Sequence, residues 1–71
     1  MTPKMLEQAG TLLFGEYWRA PFCEKFWTDI RRLRRMLKGD DEITEVLARD
    51  IETALREHAN RIDELLESMA A

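Results

Sequence analysis

Apolar residues recur at helical spacing along nearly the whole chain, and nowhere do they alternate as a half-buried strand requires. Met5, Leu6, Ala9, Leu12 and Leu13 mark a first helix, opened by Thr2 as cap and Pro3 at the first helical position. Gly10 weakens the middle of this helix and Gly15 ends it. Glu16-Tyr17-Trp18 leads into a second helix that includes Phe22, Cys23 and Phe26, with Pro21 near its first turn, since deeper in the helix it would break the backbone ladder. A third helix opens on Asp29 and closes at Gly39. The acids Asp40-Asp41-Glu42 favour a new helix start, for which Asp41 and Thr44 are alternative caps. From there to about Ser68 nothing breaks the helix. Leu47, Ile51, Leu55, His58, Ile62, Leu65, Leu66 and Met69 form a stripe at steps of three and four, widened by Val46 and Ala54. The pattern predicts an all-α chain of three short helices and one long C-terminal helix.

Seventy-one residues make one small domain, which often leans on a disulfide, a metal or a partner. The single Cys23 forms no internal disulfide, and with only His58 beside it no zinc site of the usual spacing exists, so neither metal nor cofactor is expected. Oligomerisation is the remaining support. No apolar run reaches membrane-spanning length and the N-terminus lacks the layout of a signal peptide, which points to a soluble, cytoplasmic chain without a membrane partner. No Gly-rich phosphate loop, paired nucleophile and base, or ligand cluster is present, so neither enzymatic activity nor a small-molecule substrate is expected.

The net charge of −3 hides a segregation. Up to Gly39 eight cations face four anions, and from Asp40 onward three arginines face ten acids. Such halving suggests a nucleic-acid face at one end and a different task at the other, although solvated helix faces are the plainer source of charge runs. Arg31, Arg32, Arg34, Arg35 and Lys38 fall on the third helix with Leu33 and Leu37 among them. The leucines can anchor that helix while the cations project into solvent, the arrangement a DNA major groove rewards. Arg31, Arg34 and Arg35 share a face, and one or two of them are expected to read guanine, with Arg32, Lys38, Lys25 and Arg19 on phosphates. A helix-turn-helix unit also needs a small residue at the helix crossing, apolar inner faces and a tight turn. Cys23 supplies the first, Phe22 and Phe26 with Leu33 and Met36 or Leu37 the second, and Trp27-Thr28-Asp29 the third.

This order resembles the helix-turn-helix regulators, and more narrowly short phage and bacterial members running L-Y-G-E-R-W, then L-A-R-x-L-G-V-S-D-R-T-V-R-R-W, then a closing Gly. The chain has Leu13-Phe14-Gly15-Glu16-Tyr17-Trp18, then Phe22-Cys23-Glu24-Lys25-Phe26-Trp27-Thr28-Asp29-Ile30-Arg31-Arg32-Leu33-Arg34-Arg35-Met36, then Gly39. Residues 55–66 resemble the tail helix of the same proteins. The resemblance implies a recognition helix at about 29–38 capped by Asp29, with Arg31, Arg34 and Arg35 facing DNA. Arg32 replaces a Thr of the pattern and either adds a flanking phosphate contact or stays solvated. It also implies a transcriptional repressor of phage or mobile-element origin, autorepressing as regulators beside anti-CRISPR genes do. Two positions depart from the pattern. Trp27 stands where the turn has Gly, and a left-handed backbone there costs on the order of 1–2 kcal/mol. Ile30 replaces a polar residue near the groove. Packing within the chain is the favoured expectation for both; the alternatives are an exposed Trp27 acting as a contact and an Ile30 that meets a thymine methyl.

The final helix, about 38 Å long, outreaches what three short helices can shield. A homodimer with Ile51, Leu55, His58, Ile62, Leu65, Leu66 and Met69 at its seam resolves this, His58 serving as a polar register position. The alternative is a last helix that bends back into a four-helix bundle. Residues 1–39 thus form the expected DNA-binding region, and residues 40–71 an acidic helix for packing and dimerisation. The competing function is a small phage or mobile-element protein-interaction module that inhibits a host protein.

Overall fold

The computed structural model describes all residues from Met1 to Ala71 and contains four helices and no strand. They are α1 (Pro3–Phe14), α2 (Arg19–Lys25), α3 (Ile30–Lys38) and α4 (Glu45–Ala70). α1 starts as its sequence dictates: Thr2 is extended, its hydroxyl accepts the Met5 N–H at 3.2 Å, and Pro3 follows. It ends at Gly15, whose N–H donates to the Thr11 carbonyl at 2.8 Å. α4 is capped by Thr44, whose hydroxyl accepts the Leu47 N–H at 3.2 Å. Asp41, the alternative cap, instead accepts the N–H of its neighbour Glu42 at 2.9 Å. No helix is long and apolar enough to cross a membrane.

α1 packs against each of the other three helices, α3 also packs against α2, and the first half of α4 shares the core with all of them. The core is wholly apolar, with Leu6 and Ala9 from α1, Trp18 and Phe22, Leu33 and Met36 from α3, and Leu47, Ile51 and Ala54 from α4. Leu6, Phe22, Leu33, Met36 and Ile51 are fully buried, and each such side chain contributes roughly 1.5–3 kcal/mol. Trp18 closes this core. Its ring lies on Gly10 in the middle of α1 and meets Phe22 edge-on at 5.5 Å, and Phe22 in turn meets Phe26 at 4.7 Å. Gly10 is therefore a seat for an indole, and its effect on helix propensity is secondary.

α4 is one uninterrupted helix of 26 residues, so the bent-back bundle does not form. Its first half supplies Leu47, Ile51 and Ala54 to the core, Leu55 packs against that core, and His58 walls a groove with Leu13 and Phe14. Residues 59–71 are exposed throughout and give the molecule its 48 Å long axis against 23 and 20 Å. This divides the expected seam. Ile51 belongs to the interior of a single chain because α1 already covers it, and Leu55 and His58 are half-covered. Ile62, Leu65, Leu66 and Met69 extend beyond the body of the molecule with nothing over them.

Gly10→Ala should reverse the usual sign of a helical glycine substitution. Alanine normally stabilises a helix interior by about 0.5–1 kcal/mol, but a methyl here falls inside the Trp18 ring, which has no free space to retreat into. Denaturant unfolding should show a loss of about 1–3 kcal/mol, as overpacked cores do. A variant as stable as the parent would refute the seat.

Candidate nucleic-acid interface

The cations of α3 are held on a helix with defined ends. Asp29 is extended and its Oδ1 accepts the Arg32 N–H at 2.8 Å, as an N-cap does. At the other end Gly39 is left-handed, and the Gly39 and Asp40 N–H groups return to the Met36 and Arg35 carbonyls at 3.2 and 2.9 Å. Arg35 and Lys38 lie in the last turn, where cations suit the helix dipole. At about 100° per residue, Leu33 and Met36 point to the core while Arg31, Arg34, Arg35 and Lys38 share an outer arc of about 100°. Met36 is the buried partner of Leu33, and Leu37 is half-buried.

The expected site residues are not all grouped. Arg31, Arg34 and Lys38 project without any ion pair. Arg32 and Arg35 flank Asp41, with Arg32 Nε at 3.8 Å and Arg35 Nη2 at 3.6 Å from Oδ2. The turn after Gly39 lays Asp41 back along α3, so the chain partly neutralises its own basic face. These long, solvated contacts are worth about 0–1 kcal/mol. Arg19 lies 5.9 Å from the Trp18 ring centroid, a cation–π placement at the start of α2. Lys25, at the end of α2, lines grooves whose far wall is α4 with Asp50, Glu57 and Arg61, so it stands apart from the α3 cations.

Between α2 and α3 the backbone reverses at Trp27. Trp27 has φ 54°, the sole non-glycine residue with positive φ, and the Thr28 N–H donates to the Cys23 carbonyl at 3.1 Å. The same backbone reversal ends α3, where Gly39 fills the left-handed position. Trp27 does not pack within the chain as expected: it is 95% exposed. Ile30 is 39% exposed, on the border of the core face and not inside it. Cys23 is half-buried against the core, and burial first, then the Asp29 charge, push its thiol above the ordinary range.

Searches against known protein families, characterised proteins and solved structures give no match to this chain.

Trp27→Gly should stabilise the fold by about 1 kcal/mol, because it relieves a left-handed side chain without removing buried surface. Thermal unfolding measures this, and a lower Tm would contradict the strain. A raised thiol pKa leaves less thiolate at neutral pH. Cys23 should thus alkylate more slowly than free cysteine at pH 7.5 and gain speed as pH rises, and equal rates at neutral pH would contradict the assignment.

Proposed function

We propose that this chain is a sequence-specific double-stranded DNA-binding regulator of transcription, a repressor acting as a homodimer, with α3 as the recognition helix of a helix-turn-helix unit. The observation that carries the reading is the two-sidedness of α3: leucine and methionine inward, three arginines and a lysine outward on one arc. A capped helix held by its apolar side delivers guanidinium groups to a major groove, where they pair bidentately with guanine or neutralise phosphate. Arg31, in the first turn, is placed for base edges, since helix-turn-helix proteins read bases with the N-terminal part of the recognition helix. Arg34, Arg35 and Lys38 follow the groove toward the flanking phosphates. A two-fold pair of such helices meets half-sites about 34–36 Å apart.

Asp41 acts as a brake in this scheme. Its carboxylate competes with DNA for Arg32 and Arg35, lowering affinity for every sequence while leaving Arg31 and Arg34 free.

The exposed Trp27 favours a second reading, a protein-interaction module, because tryptophan is enriched at protein interfaces. In that case the chain binds one host protein and ignores duplex DNA at low salt.

Selection of duplexes from a random pool, followed by titration over a salt series, tests the regulator. Enriched palindromes and affinity falling steeply with salt support it, and indifference to duplex DNA at low salt overturns it. Arg31→Ala should reduce discrimination by about 1–3 kcal/mol at the contacted base pair. Asp41→Asn should instead strengthen binding to all duplexes and steepen the salt dependence by about one counterion per freed contact. Loss of affinity in Asp41→Asn would remove the brake.

A further inference from the structure

The apolar surface of α4 does not stop where the body of the molecule stops. Met1, Met5 and Leu12 from the first helix region and Ala48 and Leu55 from α4 line a groove between the two helices. Its one charged wall residue, Glu52, is already engaged by Arg56 at 2.7 Å. Leu55, Ile62 and Met69 lie seven apart, so the groove opens directly onto the protruding stripe. On that tail Ile62, Leu65, Leu66 and Met69 share an arc of about 100°, while Asp63, Glu64 and Glu67 lie on the opposite side.

We propose that this composite surface is a reciprocal interface with a second copy of the chain: each α4 tail lies in the α1–α4 groove of its partner, with the two α4 helices antiparallel about a two-fold axis near Leu12 and Ile62. Three observations select a second copy as the occupant. The tail at residues 59–70 and α1 each have twelve residues, about 18 Å, so one fills the length of the other. Met1, Met5, Leu12, Ile62, Leu65, Leu66 and Met69 together leave on the order of 700 Å² of surface open per chain, close to the about 800 Å² per partner of a standard interface. The acids Asp63, Glu64 and Glu67 point away from the apolar arc, so two copies can meet through it without bringing like charges into the seam. No residue of α3 lines this groove, so the interface leaves the α3 cations free.

This deepens the homodimer in the regulator reading, and its test uses no DNA, so the two can fail separately. Light scattering and sedimentation of the full chain from about 1 to 100 µM should show a dimer with a micromolar dissociation constant. Leu66→Asp on the tail and Leu12→Asp in the groove alter residues 57% and 68% exposed in the single chain, so both variants should keep their helical content. Each should raise the dissociation constant at least about tenfold. Mixed together they should associate more tightly than either alone, because one tail–groove contact is restored intact. A monomer at 100 µM overturns the proposal and leaves the surface to another protein. An unchanged constant in Leu12→Asp, or no rescue on mixing, overturns it in favour of tails pairing alone.

Discussion

The contact on which the arrangement depends is the indole of Trp18 lying on Gly10. α2 has seven residues and no side-chain hydrogen bond at its N-terminus, so it cannot persist on its own helical merits. Trp18 at its start and Phe22 one turn later hold it against α1, and α3 is then packed against both. The direction in which the α3 arginines point thus depends on the packing of α3 against α1 and α2, which the Trp18–Gly10 contact helps to hold together.

Charge is organised by the same topology. The acids of the α4 tail lie beyond the body of the molecule, and solvent screening attenuates their attraction to the α3 cations beyond about 8 Å. The exception is the connection between α3 and α4. Asp41, turned back by the left-handed Gly39, is the one carboxylate in contact with the α3 cations. A basic surface with an acid at its margin retains a way to be tuned by a single position.

How much of this was legible in the sequence follows from the range of each interaction. Thr2, Asp29 and Gly39 act on residues within a few positions of themselves, and their roles as helix ends were readable from spacing. The outward arc of Arg31, Arg34, Arg35 and Lys38 was readable for the same reason, since periodicity defines a face. The pairing of Asp41 with Arg32 and Arg35 was not, because it depends on how the chain reverses after α3; that reversal also gives the α4 cap to Thr44. Trp18 belongs to no apolar stripe, and Gly10 reads as a weak helix former until the ring that covers it is known. Along α4 the periodicity identified the apolar side but not its cover: Ile51 is buried in the core, and Ile62, about three turns further along the same side, meets water. The left-handed site at Trp27 was visible as a departure from a glycine, whereas the outward direction of the ring was not.

The two tryptophans occupy opposite environments, one sealed in the interior and one almost wholly in water. Their emission separates accordingly: the spectrum of Trp18 should shift to the red when the core opens, while that of Trp27 is already red and responds to whatever settles on the turn. The chain therefore carries its own pair of optical reporters, the inner one sensing folding and the outer one sensing encounter.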